Sequence, residues 1–175
     1  MKRVIFNAAL LLMIFIMTIL STGCLSSKGY KSPGNLAKEH QTEIMECFIN
    51  KDGETLKGFF SEYVLENYPY IDKQIEAAFD FLDGEIVSYD EPFSGEAGSL
   101  EKKSYGAKTR NIITDKGTEY TIGFKGWYAY DKEPDKVGIT VIVVRNETIK
   151  EELDRDGVEN ASKLFRLCIG ETEED

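Results

Sequence analysis

The hydrophobic period of this chain changes at Asp83-Gly84, and that change constrains the fold more than any other feature. Upstream, apolar positions recur at three- and four-residue spacing: Leu36, His40, Ile44, Cys47 and Phe48, then Leu56, Phe59, Phe60, Tyr63 and Val64, then Ile71, Ile75, Ala78, Phe79 and Leu82. That spacing predicts three helices. Asn50-Lys51-Asp52-Gly53 and Asn67-Tyr68-Pro69 separate them, and Asp52 is placed to cap the second. Downstream of Gly84 the period falls to two. Helices first and a meandering sheet afterwards predict an α+β domain with three N-terminal helices packed on a bent, mainly antiparallel sheet of four or more strands.

The strands are expected at residues 85–90, from about Ser104 to Thr114, over Glu119–Tyr130 and from Val137 to Val144, with a Gly/Ser-rich loop between the first two. Thr114-Asp115-Lys116-Gly117-Thr118 has the residues of a hairpin turn. The third strand alternates most cleanly. Tyr120, Ile122, Phe124, Tyr128 and Tyr130 are assigned to one face, Glu119, Thr121, Gly123, Lys125 and Trp127 to the other, with Gly123 and Gly126 marking a bend or bulge. Residues 160–169 fit a strand or a helix: Phe165, Leu167 and Ile169 alternate, whereas Ala161, Leu164, Phe165 and Cys168 have helical spacing.

The amino terminus speaks to location. Met1-Lys2-Arg3 precedes an apolar run from Val4 to Leu20, which ends in Leu20-Ser21-Thr22-Gly23-Cys24. This is the layout of a bacterial lipoprotein signal peptide and lipobox: residues 1–23 would be removed and Cys24 would become the lipidated first residue, holding the chain at the extracellular face of the cell membrane. An uncleaved membrane helix is the alternative, which Asn7 and Gly23-Cys24 disfavour. Residues 24–35, rich in Ser, Gly, Lys and Pro, read as a tether, residues 36–170 as a single domain, and residues 171–175 as an acidic tail.

The formal net charge is −10, and it becomes two units more negative once Lys2 and Arg3 leave. Nucleic acid is therefore disfavoured as a partner, because phosphate binding requires a basic stripe. Cys47 and Cys168 stand among apolar residues and read as free core thiols in preference to a disulfide. With His40 they lack metal-ligand spacing, and Asp131, Glu133 and Asp135 lack the closing glutamate of a calcium loop, so neither a metal nor another cofactor is expected.

Several passages carry a family resemblance: Cys47-Phe48-Ile49-Asn50-Lys51-Asp52, Leu56 to Ser61, Phe79-Asp80-Phe81-Leu82-Asp83-Gly84-Glu85-Ile86-Val87-Ser88-Tyr89-Asp90, Lys116 to Ile122, and Pro134 to Ile139. Over roughly residues 40 to 145 the chain resembles small lipoproteins of Gram-positive bacteria that carry a domain of unknown function. The resemblance implies the cone-shaped fold of the nuclear transport factor 2 and cystatin-like superfamily and a surface location. It supplies no activity and no catalytic residue.

Two function classes follow. A non-enzymatic module would bind a small ligand, a cell-wall component or a surface protein, with Trp127, Lys125 and Tyr130 as candidate contacts. A small acid-base enzyme of isomerase or hydrolase type would use the cone, with Asp83, Glu85 and Tyr89 as candidates, from a cluster that also holds Asp80 and Asp90. The binding module is the favoured reading, since helix and strand ends account for these acids. His40 reads as a structural histidine on a helix stripe.

Overall fold

A computed structural model describes residues 31–99, 101–150 and 166–170. Residues 1–30, with the expected signal peptide and lipidation site Cys24, lie outside the described residues, as do residue 100, 151–165 and the acidic tail 171–175. Helix α1 spans Pro33–Asn50. The tether expected through Asn35 therefore ends sooner: the Ser32 hydroxyl accepts from the Asn35 N–H and Pro33 occupies the first turn, a pairing that starts a helix because proline lacks only a donor the first turn cannot use. Lys51, in the left-handed conformation, closes α1.

The second expected helix is two short ones, α2 (Gly53–Lys57) and α3 (Glu62–Asn67), so among the described residues four helices, not three, precede the first strand. The break has a tertiary cause. Phe60 forms a parallel bridge to Ile139, with Ile139 N–H donating to the Phe59 carbonyl and Ser61 N–H to the Ile139 carbonyl. A backbone bonded to a strand cannot complete the helical ladder. Asp52 caps α2 as expected, Ser61 caps α3, and α4 (Ile71–Asp80) buries Ile71, Ile75, Ala78 and Phe79. Gly84 follows at φ +100°, where an added Cβ would lie 2.0 Å from Asp115 Oδ1.

Among the described residues the sheet has six strands: β1 (Ile86–Ser88), β2 (Phe93–Gly98), β3 (Lys102–Thr114), β4 (Glu119–Tyr130), β5 (Gly138–Asn146) and β6 (Arg166–Gly170). Their order is β1-β3-β4-β5-β6, with β2 also paired to β3, and every strand pairing is antiparallel. The α+β expectation is met. Strand β2 lies where the sequence suggested a loop, because Gly95, Ala97 and Gly98 depress the strand signal and pairing with β3 overrides it. The ambiguity at 160–169 resolves for Arg166–Gly170, which pair with β5.

Helix α1 lies on one face of the sheet. Ala37, Gln41, Ile44 and Met45 pack with Tyr120, Ile122, Ile142 and Val144 in a core where each is fully buried. Gln41 Nε2 donates to Thr109 Oγ1 at 3.2 Å and to the Ile122 carbonyl at 3.1 Å, joining helix to sheet through a buried polar contact. Leu167 and Ile169 of β6 also face this core, so alternation turns Cys168 the other way. Cys47 and Cys168 are both free, and burial pushes the Cys47 thiol up to about 11.

Candidate functional site

Alternation along the strands turns a second set of side chains away from helices α1–α4. Ser94 reaches toward Gly34 of α1, so its neighbours Phe93 and Gly95 face outward. Register then assembles this outer face in transverse rows. Phe93, Lys108, Gly123, Val143 and Cys168 form one row, Gly95, Gly106, Lys125 and Val141 the next, and Thr121, Arg145 and Arg166 a third. Three glycines in adjacent strands remove side chains from the middle of the face. The result is a groove of about 500 Å³, within the size range of small-molecule sites.

The groove has a glycine floor at Gly95, Gly106 and Gly123, apolar lining from Phe93, Ala97 and Val143, and cationic groups from Lys108, Lys125 and Arg145. Two of the glycines are required by packing: a Cβ on Gly106 would lie 2.5 Å from the Phe124 carbonyl oxygen, and one on Gly123 would lie 2.9 Å from Lys108 Cβ. Gly95 has nothing within 4 Å of an added Cβ. Phe93 leaves 66% of its surface exposed at one rim.

Of the candidates read from sequence, Lys125 lines this groove and Trp127 and Tyr130 do not. Those two meet in a separate cluster, with ring centroids 5.6 Å apart. The alternation that put them on opposite faces fails because β4 carries one extra residue between Trp127 and Ala129, which pair with Ser104 and Lys103. The bulge at Tyr128 inverts the faces beyond it. Lys102 Nζ lies 3.8 Å from the Trp127 ring centroid and 4.8 Å from that of Tyr130, and Lys136 Nζ lies 4.7 Å above Tyr63. The aromatic faces are covered by the protein's own lysines through cation–π contacts. A ligand stacking there would have to displace them.

The acid-base candidates occupy the opposite kind of environment from the one that chemistry needs. Asp83 Oδ1 accepts from Lys116 Nζ at 2.6 Å, and both side chains are more than half exposed. The Glu85 side chain is exposed and its backbone N–H donates to Asp115 Oδ1, while Tyr89 is 43% exposed. No group of three or more metal-ligating side chains comes together among the described residues. Asp83 contributes through its backbone instead: its N–H donates to the Tyr120 hydroxyl at 2.9 Å, and that hydroxyl donates to the Phe81 carbonyl at 3.1 Å.

His40 is half-buried against the core, as its helix stripe suggested. Its ring lies 5.4 Å from Phe59 and 5.8 Å from Tyr105, with Nδ1 3.2 Å from the Tyr105 hydroxyl. Burial pushes Tyr105 up to about 12 and lowers the His40 pKa, against the opposing pull of Glu43 and Glu39. A histidine whose folded pKa lies below its ordinary 6.5 binds its proton more readily when unfolded. Its stabilising effect is thus present above pH ~6.5 and is lost as pH falls below it. Urea midpoints measured from pH 7.5 to 5 should decline in the wild type, and His40→Gln should flatten that decline.

Apart from Lys125, the groove residues were missed by sequence reasoning because four lie on the overlooked strand β2 and the rest are distant from them in sequence. The alternation Phe93, Gly95, Ala97 was the available signal, weakened by its two smallest members. No curated protein matches the chain. The family described as a domain of unknown function, DUF5104, matches residues 43–151, which spans α1 from Glu43 through β5 and therefore all of the lining of the groove. The chain belongs to that family.

Proposed function

We propose that this protein is a non-enzymatic binding module, held at the extracellular face of a membrane by lipid on Cys24, that takes its ligand in the groove on the outer face of the sheet. The observation that carries this reading is the glycine-floored groove itself, a concavity with apolar walls and a few charged groups at its edge. The lipobox residues Leu20 to Cys24 support the location. Asp83 in an exposed ion pair and the exposed Glu85 are not the desolvated carboxylates that the acid-base alternative calls for, which supports the binding reading.

A thermal-shift screen of cell-wall fragments, peptides, sugars and lipids tests the site when wild type is compared with Gly95→Leu. Gly95 is chosen because its missing side chain would enter open space. A stabilising ligand whose effect disappears in Gly95→Leu supports the groove, and one that stabilises both proteins equally overturns it. Cell fractionation tests the anchor: the wild-type chain is expected with membranes in a lipid-modified form, and Cys24→Ser is expected to lose that modification.

A further inference from the structure

We propose that the groove selects a small organic anion with an apolar body, its negative head held near Arg145 and Lys108 and its body lying along the glycine floor toward Phe93. This rests on the groove being the binding site and adds the chemical class of the ligand.

The charge of the outer face is the first argument. The chain as a whole carries a formal net charge of −10, yet the groove is lined by Lys108, Lys125 and Arg145 against one carboxylate, Glu96. Alternation and register extend the cations to Arg166 on the same face, with Glu119 as a carboxylate at its end. Lys108 and Arg145 make no ion pair among the described residues. A concentration of one sign in a concave site, inside a protein of the opposite sign, raises the local concentration of anions.

Arg145 and Arg166 stand directly opposite each other on β5 and β6, an arrangement that like charges disfavour. Arg166 Nε is buried and has no hydrogen-bond partner among the described residues. A guanidinium nitrogen in that state lacks an acceptor, and an anion near Arg145 relieves the repulsion between the two arginines.

The shape and lining limit what the anion can be. Phe93, Ala97 and Val143 offer contact for an apolar body, and the bare floor at Gly95, Gly106 and Gly123 lets a flat one approach the backbone. About 500 Å³ is the size of a small-molecule site. The head is a carboxylate, phosphate or sulfonate, which share the planar or tetrahedral oxygen set that arginine and lysine recognise.

Two fluorescent probes separate body from charge: 1-anilinonaphthalene-8-sulfonate and the uncharged N-phenyl-1-naphthylamine, which have the same aromatic body. The sulfonate is expected to bind the purified protein at least about tenfold more tightly than the neutral probe. Arg145→Glu and Lys108→Glu should each weaken the sulfonate about tenfold and leave the neutral probe nearly unchanged. Gly95→Leu should abolish binding of both while leaving the thermal midpoint in place, and Phe93→Ala should weaken both. Equal affinities that ignore Arg145→Glu but vanish in Gly95→Leu would overturn the anion preference and keep the groove. Binding of either probe that survives Gly95→Leu, or no binding of either, would overturn both.

Discussion

Tyr120→Ala is expected to destabilise the domain by about 3–5 kcal/mol, the range for removing a large aromatic side chain from a packed core. Tyr120 has no exposed surface and packs edge-on against Phe81 with centroids 6.1 Å apart. Its hydroxyl accepts from Asp83 N–H, donates to the Phe81 carbonyl and meets the Asn146 side chain, so it ties the end of α4 to the middle of the sheet. Tyr120→Phe removes the hydroxyl alone and strands those backbone groups, for which about 1–3 kcal/mol is expected. Urea denaturation followed by circular dichroism measures both. If Tyr120→Phe were neutral, water would be replacing the hydroxyl and the tie would carry no structural weight.

Gly126→Val should be far more damaging than the same change at Gly95 in the groove. A Cβ at Gly126 would fall 2.2 Å from the Gly138 carbonyl oxygen and 2.9 Å from Ile139 Cα. Both atoms are backbone of β5 and cannot rotate away, so β4 and β5 must separate where their register already shifts between Lys125 and Gly126. A loss of about 3 kcal/mol or more is expected, at the upper end of what overpacking costs. Gly95→Val, in open space on β2, is expected to stay within about 0.5 kcal/mol of wild type. Equal effects from the two would mean that the sheet accommodates Gly126 side chains by a shift that the tight contact does not suggest.

These two glycines show why the fold was more legible than the site. Local pattern placed α1, α4, β3, β4 and β5, because each buries one face and so repeats its apolar residues at the period of its own backbone. Gly126 was legible as a bend since it interrupts a strong alternation. Gly95 was not: after Phe93 the outward positions of its short run are the small Gly95 and Ala97, and the inward ones are Ser94, Glu96 and Gly98, so neither period stands out. The split between α2 and α3 was hidden for a related reason. Leu56, Phe59, Phe60, Tyr63 and Val64 do have helical spacing, and only the bridge from Phe60 to Ile139 withdraws the backbone between them.

The candidate site divides along the same line. Lys125 was singled out from its own strand and does line the groove, while Trp127 and Tyr130 were paired with it by chemistry and belong to a cluster covered by Lys102. Asp83, Glu85 and Tyr89 were adjacent in sequence, and adjacency brought them no shared enclosure. By itself, the sequence determined the class of the fold and the antiparallel sense of the sheet, which follow from short-range periodicity, and its quoted passages carried the resemblance to the family; it favoured free cysteines over a disulfide, and the structure shows both free, with Cys168 on the outer face and not in the core. Only the tertiary structure decided that Phe93, Lys108, Gly123 and Val143 stand in one row and that Arg145 meets Arg166. Strand register is a long-range property, set by which faces can be buried together, and no local window of the chain contains it.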